Sequence, residues 1–420
     1  MDTIERTDKK DVPVGVWPRS DSSRIPLWVY SDRDNYQREL ERIFYGPHWH
    51  FVGIDTETPN AGDYKRATIG ERSVLMVRDE QGNINVLNNS CAHHGSEVCQ
   101  AKFGNRTAII CPYHQWTYDL KGNLQSVPFK KGLKGVGGYQ PDFNMAEHGL
   151  KKLKVANVNG GIWATYDHSA PAFEDYIGPM MLKYMKRVFN GKQLRVLGYQ
   201  RQRLRGNWKL YMENIKDPYH ATLLHVFLIT FGIYRIDQKG WYEQDDTHAH
   251  SVFTAERDTN VDPNLQKEMA SLKKDYELLD PRMVIPVKEF PDDISICIQT
   301  LFPNLVVQQQ TNSLQLRYVT PLGPDEFELT WTYLGYQDDD EAMQLLRLRQ
   351  ANLTGICGYV SVDDSEALEF SGAGIKPNPG GQAVIEWGGR DPDVPPEHHQ
   401  FTESAIRGFY TYYRDIMGYR

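Results

Sequence analysis

The chain has 420 residues, of which 40% are hydrophobic and 24% charged, and its 47 basic and 55 acidic side chains leave a formal net charge of -8. This length exceeds what one hydrophobic core normally organises, so we expect two domains. The acidic balance argues against a nucleic-acid-binding surface. The polar first 13 residues and the lack of a run of about 18 apolar residues predict a cytoplasmic protein without a signal peptide or a membrane span.

Hydrophobic spacing divides the chain into helical and strand-rich parts. Apolar residues at helical intervals predict a helix over residues 35–45. Short apolar runs separated by Gly, Pro, Asn and Asp then predict a small antiparallel β domain that extends to about residue 166. Helical patterns return over 173–190 and 403–413, and the apolar run 305–307, which three glutamines follow, is read as part of a strand.

Two short segments each supply one cysteine and one histidine. Cys91 and His93 are separated by one residue, and Cys111 and His114 follow after 17 intervening residues. Two thiolates and two imidazoles are the ligand set of a Rieske 2Fe-2S cluster, whose histidines raise its reduction potential. A structural zinc site is the alternative, but zinc modules usually separate their paired ligands by two to four residues. The spacing therefore favours a protein that transfers single electrons.

Five cysteines in 420 residues do not make a disulfide framework. The two that we assign to the cluster need a reducing compartment in order to remain thiolates. We therefore expect Cys99, Cys297 and Cys357 to be free.

A second cluster of metal-binding residue types lies in the helix-forming segment 207–225. It contains Asp217, His220 and His225. The two histidines are five residues apart, a spacing that a regular helix would not place on one face. Pro218 breaks or bends the helix, so the histidines can still converge. Packing of both histidines in a core is the alternative.

Two histidines and one carboxylate form the facial triad of non-haem Fe(II) oxygenases, which leaves metal positions open for dioxygen and substrate. The carboxylate is expected within residues 359–369, where a strand-like run ends in Asp363 and Asp364 and a helix begins. Either aspartate could instead cap that helix, so spacing alone does not choose between a ligand and a cap.

With both motifs in this order, the chain resembles the large (α) subunit of Rieske non-haem iron ring-hydroxylating oxygenases over nearly its full length. The resemblance implies that Cys91, His93, Cys111 and His114 ligate one 2Fe-2S cluster. It implies that His220, His225 and Asp364 bind one mononuclear Fe(II). It also implies that Asp217 bridges a cluster histidine of one subunit to an iron-binding histidine of its neighbour.

The same resemblance implies an α+β fold with three parts. Residues 1–46 would form an N-terminal helical segment that packs with the catalytic domain. Residues 47–166 would form the small antiparallel β Rieske domain. Residues 167–420 would form the larger catalytic iron domain, in which helices flank a central antiparallel sheet.

Two positions depart from the commonest pattern of the family. His94 stands where an arginine is usual after the first cluster histidine, and Gln115 stands where a glycine usually follows the last one. Neither position is a ligand, although either could alter hydrogen bonding to the cluster. Strings such as CPYHQW and ENIKDPYHATLLH look most like enzymes that hydroxylate salicylate and anthranilate, with terephthalate enzymes somewhat further off.

A carboxylate substrate calls for charge-assisted hydrogen bonds, which arginine supplies best. Arg317 and Arg407 are candidates in the C-terminal half, although a structural salt bridge would explain either one as well. Gln308, Gln309 and Gln310 are conspicuous, and alternate members would share one face of a strand. Gln310 or Ser361 could therefore also bind a substrate oxygen if either faces the iron.

The resemblance implies a terminal oxygenase that hydroxylates an aromatic carboxylic acid with dioxygen. The chain has no strand-turn-helix dinucleotide motif, so electrons would come from a ferredoxin and an NAD(P)H-dependent reductase on separate chains. A small β subunit and an α3 or α3β3 assembly are further expectations. Dihydroxylation of another aromatic acid, such as terephthalate, is one alternative. A Rieske electron carrier without substrate chemistry is another, and the second metal site argues against it.

Overall fold

The computed structural model describes residues 15–257, 276–393 and 400–419. Its N-terminal part consists of β1 (Arg24–Pro26), α1 (Trp28–Ser31), α2 (Arg33–Glu39) and one π-helical turn (Leu40–Phe44). Asp32 begins α2 as an N-cap, because its carboxylate accepts the backbone N–H of Asn35. Within the described ranges, no helix is both long and apolar enough to cross a membrane.

The next part of the chain consists almost entirely of short strands. They are β2 (His50–Ile54), β3 (Asp63–Ile69), β4 (Arg72–Arg78), β5 (Ile84–Asn88), β6 (Phe103–Asn105), β7 (Ile109–Ile110), β8 (Thr117–Tyr118), β9 (Leu124–Ser126), β10 (Lys154–Val158) and β11 (Gly161–Thr165). All pairings are antiparallel and form three small sheets, with strand orders β5-β4-β3-β6, β10-β11-β2 and β7-β8-β9. This is the predicted β domain.

The remainder of the chain mixes helices with longer strands. The helices are α3 (Phe173–Met185), α4 (Trp208–Asn214), α5 (Pro218–Leu224), α6 (Val226–Thr230), α7 (Glu341–Thr354), α8 (Ser361–Ile375) and α9 (Ser404–Met417). The strands are β12 (Leu194–Arg205), β13 (Gly240–Gln244), β14 (Ser251–Glu256), β15 (Ile294–Leu301), β16 (Leu305–Gln310), β17 (Ser313–Pro321), β18 (Glu326–Tyr336) and β19 (Gln382–Val384).

Seven of these strands form one antiparallel sheet in the order β12-β18-β17-β16-β15-β14-β13. Helices from both ends of the chain cover it, so the expected α+β class with a central antiparallel sheet is confirmed. The register sets Arg317 of β17 opposite Val306 on one side and Trp331 on the other. Since side chains alternate along a strand, Gln308 and Gln310 of β16 share one face.

The N-terminal helices pack against the C-terminal part of the chain. Trp28 and Phe44 belong to one buried cluster with Trp208 and Phe409. Beneath this cluster, Nζ of Lys209 lies 2.6 Å from Oε1 of Glu39, and both side chains are 0% exposed. Burial lowers the pKa of Lys209, against the opposing effect of Glu39. The ion pair therefore ties the N-terminal segment to α4.

Candidate metal centres and substrate cavity

The two cysteine-histidine segments form loops of matching backbone geometry. The N–H of Gly95 donates to the carbonyl of Cys91 at 2.9 Å, and the N–H of Gln115 donates to the carbonyl of Cys111 at 3.0 Å. Both donor residues are left-handed, with φ of 73° at Gly95 and 59° at Gln115. A side chain there costs about 1 kcal/mol, which explains why glycine suits the position that Gln115 occupies.

The cluster residues present their side chains in two layers. Cys91 and Cys111 are buried, whereas His114 is exposed. The rings of His93 and His114 lie 4.5 Å apart, and His93 stacks on Trp116 at 4.7 Å. The buried Nδ1 of His93 has no hydrogen-bond partner among the described residues. Inner thiols and outer imidazoles are the donor arrangement that a 2Fe-2S cluster with mixed ligation requires.

Two further side chains lie against these residues. The hydroxyl of Tyr118 lies 3.1 Å from Sγ of Cys91 and accepts the backbone N–H of Ala92. The ring of His94 lies 4.0 Å from that of His93, so the residue that replaces the usual arginine sits beside the cluster loops. Cys99, Cys297 and Cys357, which we expected to be free, form no disulfide bond.

The second group of metal-binding side chains converges as well. Nε2 of His220 lies 3.4 Å and Nε2 of His225 lies 3.1 Å from Oδ1 of Asp364. The ligand atoms of the three residues all lie within 4.8 Å of one another. Two imidazoles and one carboxylate meeting at a point fit the facial triad of a non-haem Fe(II) site.

Breaks in the helices make this convergence possible. α4 ends at Asn214, and α5 begins at Pro218, which needs no N–H partner in the first helical position. Asp217 caps α5 by accepting the N–H of Tyr219 at 2.7 Å. His225 then interrupts the helix with φ -87° and ψ 77°. This non-helical residue brings the two histidines together although they are five positions apart.

The carboxylate comes from the first turn of α8. The expectation of a strand-like run that ends at Asp363 was wrong, because the helix already begins at Ser361. Neither aspartate is the N-cap of that helix, which is Val360. Asp364 is buried and faces both histidines, whereas the side chain of Asp363 is 39% exposed.

Each metal-facing histidine also has an aspartate behind it. Nδ1 of His220 lies 3.2 Å from Oδ2 of Asp217, and Nδ1 of His225 lies 3.5 Å from Oδ2 of Asp363. Hydrogen-bonded carboxylates in such positions fix the tautomer and orientation of metal-binding imidazoles. The contact of His225 with Asp363 has hydrogen-bond geometry, whereas Nδ1 of His220 is close to Asp217 without it. Burial alone would raise the pKa of Asp364, but hydrogen bonds with both histidines hold it well below its usual range.

Asn214 also contacts the triad, and it was not singled out from the sequence. Its Nδ2 donates to Oδ1 of Asp364 at 3.1 Å and lies 3.3 Å from Nε2 of His220. Its Oδ1 is buried without a hydrogen-bond partner among the described residues. Its position six residues before His220, in the same segment, is the sequence signal that could have indicated it.

A mostly apolar cavity adjoins the triad. Its apolar lining comes from α5, α6, β14 and β15 and from the residues that flank α4 and α8, namely Ala221, Leu228, Phe253, Ile296, Ile298, Ile215 and Val360. On the wall formed by β16 and β17, the lining is polar and consists of Gln308, Gln310 and Arg317. An apolar pocket with a few converging polar groups is the usual form of a small-molecule site.

Arg317 is a buried cation without an anionic partner. It is 4% exposed, and the contacts of its guanidinium with other described residues are to a hydroxyl, an amide oxygen and an aromatic ring, none of which is anionic. Its guanidinium donates to the hydroxyl of Tyr211 at 3.1 Å and to Oε1 of Gln308, and lies 4.1 Å from the ring of Trp331. Its buried Nε has no acceptor among the described residues. The charge therefore lies beside the cavity uncompensated.

The other substrate candidates fall in two groups. Gln310 lines the cavity, whereas Ser361 and Arg407 are not part of its lining. The hydroxyl of Ser361 donates to the carbonyl of Thr354 at 2.7 Å. Arg407 donates to backbone carbonyls, including that of Asp391 at 2.7 Å, and so holds the chain before α9. These hydrogen bonds to the backbone indicate a structural role for Ser361 and Arg407, away from the cavity.

Comparison with known proteins identifies two domains in the chain. Residues 48–137 match the Rieske [2Fe-2S] domain, and residues 191–419 match the catalytic domain of the ring-hydroxylating alpha subunit. The chain belongs to the family of Rieske ring-hydroxylating oxygenase alpha subunits. It is therefore an oxygenase of a family that uses a 2Fe-2S cluster and a mononuclear iron.

Two curated relatives span almost the whole chain. The large oxygenase component of salicylate 5-hydroxylase from Ralstonia sp. is 45% identical, over 96% of each chain. The large subunit of anthranilate 1,2-dioxygenase from Burkholderia cepacia is 40% identical, over 99% of this chain and 97% of its own. Among solved structures, naphthalene 1,2-dioxygenase from Rhodococcus sp. bound to indole has a TM-score of 0.77 at 26% identity and covers 94% of each chain.

Proposed function

We propose that this alpha subunit is the terminal oxygenase component that hydroxylates an aromatic carboxylic acid of the salicylate or anthranilate type. The observation that carries the proposal is the uncompensated Arg317 in the wall of the cavity beside the triad. A buried charge without a counter-charge is costly, and a carboxylate ligand would remove that cost. The remaining apolar lining suits an aromatic ring.

The metal-binding residues divide between two cofactors in this proposal. Cys91, His93, Cys111 and His114 hold the 2Fe-2S cluster. His220, His225 and Asp364 hold the mononuclear Fe(II) through Nε2 and carboxylate atoms that already converge. The iron supplies dioxygen activation when bound, because the triad leaves coordination positions open. Within the chain, Asp217 and Asp363 orient the two imidazoles from behind.

Asp217 carries a second role in the proposal. Its side chain is partly exposed, at 22%, while it faces His220. We assign it the link between His220 and the cluster residue His114 of a neighbouring subunit, which requires an oligomer, α3 or α3β3. Because His114 is exposed on its own loop, it is available for such a contact.

The proposal also includes the electron donors and a second type of subunit. Electrons come from a ferredoxin and an NAD(P)H-dependent reductase on separate chains, and a small β subunit accompanies the alpha chain. The names of the relatives, "large oxygenase component" and "large subunit", describe one part of a multi-component enzyme. We place the protein in the cytoplasm and keep the expected division at residues 1–46, 47–166 and 167–420.

The test supplies the purified chain with a compatible ferredoxin and reductase, isotopically labelled dioxygen and a panel of substituted benzoates. We expect mass spectrometry to detect labelled oxygen in the hydroxylated ring of at least one acid and in none of the corresponding benzamides. Absence of labelled product from every acid, with both metals loaded, would refute the proposal.

A further inference from the structure

Arg317 fixes the orientation of two amides in the cavity wall. A guanidinium has N–H donors and no acceptor. The atom of Gln308 that contacts Arg317 must therefore be its carbonyl oxygen, and the structure shows this hydrogen bond from Arg317 to Oε1 of Gln308. Since Gln308 is buried at 1% exposure, its amide has no solvent with which to exchange this bond.

The same constraint passes to the next amide on the strand. With its oxygen turned to Arg317, Gln308 presents its NH2 group to Gln310, and Nε2 of Gln308 lies 2.8 Å from Oε1 of Gln310. An NH2 donor demands an oxygen acceptor. Gln310 must therefore turn its own oxygen towards Gln308. The sequence of contacts leaves the NH2 group of Gln310 as the free end.

That free end is at the cavity. Gln310 is 6% exposed and lines the cavity with the triad residues. Its Nε2 has no hydrogen-bond partner among the described residues, while its Oε1 is committed to Gln308. The NH2 group is therefore available as a donor to an acceptor atom of a ligand in the cavity.

We propose that Arg317, acting through Gln308, holds the NH2 group of Gln310 as a donor towards the substrate, so that the cavity prefers acids with an acceptor substituent over acids with a donor substituent. This inference rests on the proposed function, because Arg317 is taken to hold the carboxylate of the same acid. A hydroxyl oxygen on the ring accepts the N–H of Gln310. An aromatic amine is a poor acceptor, because its lone pair is delocalised into the ring, and it points N–H groups at N–H groups.

Matched pairs of ligands test the preference without any electron donor. Isothermal titration calorimetry would compare 2-, 3- and 4-hydroxybenzoate with the corresponding aminobenzoates on the purified protein. We expect the hydroxy acid to bind more tightly by about fivefold to tenfold at the ring position that meets Gln310. Equal affinities within all three pairs would overturn the inference.

Two charged variants test the direction of the amides. Gln310→Glu replaces the donor with an acceptor, so this variant should bind the aminobenzoate of each pair more tightly than the hydroxybenzoate. In Gln308→Glu, the new carboxylate accepts hydrogen bonds from both Arg317 and the NH2 group of Gln310. Gln310 should then turn its oxygen to the cavity, and the variant should again bind the aminobenzoate more tightly. Both variants weaken the binding of every acid by adding negative charge, and this common loss cancels in the ratio within a pair.

Gln310→Met is the matched control, because it keeps the length of the side chain and removes its polarity. It should bring the ratio within each pair close to one, and circular dichroism would check that each variant is folded. If Gln310→Glu, or a folded Gln308→Glu, keeps the wild-type ratio of hydroxybenzoate to aminobenzoate affinity, the inference that Arg317 orients Gln310 through Gln308 is wrong. If acids bind and are hydroxylated but no pair is discriminated, only this inference fails. If no acid binds, the proposed function fails with it.

Discussion

Replacement of Arg317 by methionine tests the assignment of the cavity most directly. Methionine keeps a flexible unbranched side chain, although a shorter one, and it removes the charge, the guanidinium that lies over Trp331 and all the N–H donors. The guanidinium commits hydrogen bonds to Tyr211 and Gln308 and leaves its Nε without an acceptor. Its uncommitted N–H groups are those that a carboxylate would accept.

The magnitude follows from the burial of the charge. A hydrogen bond to a charged group contributes about 1.5–3 kcal/mol. At about 1.4 kcal/mol for each factor of ten, losing one such bond in Arg317→Met should weaken benzoate binding by about 10- to 100-fold. Benzamide has the same shape and keeps one carbonyl acceptor but carries no charge, so its affinity should fall by clearly less than that of benzoate.

The assay is calorimetric titration of benzoate and benzamide into the wild type, Arg317→Met and Arg317→Lys. Lysine keeps the charge but lacks the planar fork of donors, so it should recover only part of the affinity for benzoate. Equal losses for benzoate and benzamide would mean that Arg317 merely shapes the cavity. An unchanged affinity for benzoate would refute its role altogether.

Four further substitutions test the metal centre and the core. Asp364→Asn should abolish binding of the mononuclear iron, while Asp363→Asn should retain it, because only Asp364 faces both Nε2 atoms; iron analysis that gives the reverse order would contradict the ligand assignment. Asp217→Asn still caps α5, so it should hold both metals and reduce its cluster normally, yet fail in turnover; full turnover would exclude the inter-subunit link. Glu39→Gln removes the ion-pair partner of the buried Lys209 and should lower the free energy of unfolding by about 3–5 kcal/mol, measured by chemical denaturation, whereas a loss below about 1 kcal/mol would mean that the pair is not buried as described.

The candidate metal-binding residues could be singled out from the sequence because a metal restricts both residue type and spacing. Cys91, His93, Cys111 and His114 bring two thiols and two imidazoles together within 24 positions, counted from 91 to 114, and few other functions require that set. The strands of the β domain were also predictable, because turn residues separate each apolar run from the next. Local chemistry is sufficient for both inferences.

The two arginines were not distinguishable in this way. Arg317 and Arg407 both lie in regular elements with apolar neighbours, and nothing local separates a ligand-binding guanidinium from a structural one. Their environments depend on distant segments. Strands β16 and β18 place Gln308 and Trp331 around Arg317, whereas residues 385–391 supply carbonyl acceptors to Arg407. Long-range pairing decides which charge is left without a partner.

The choice between Asp363 and Asp364 shows the same limit on a smaller scale. Adjacent residues on a helix point about 100° apart, so the start and axis of α8 decide which carboxylate reaches the metal. The sequence predicted a strand-like approach to these residues, yet the helix already begins at Ser361. Once that start is known, Asp364 faces His220 and His225 through their Nε2 atoms, and Asp363 is left to contact His225 from behind. The neighbouring carboxylates therefore take different roles, since one meets the metal-facing nitrogens and the other orients an imidazole.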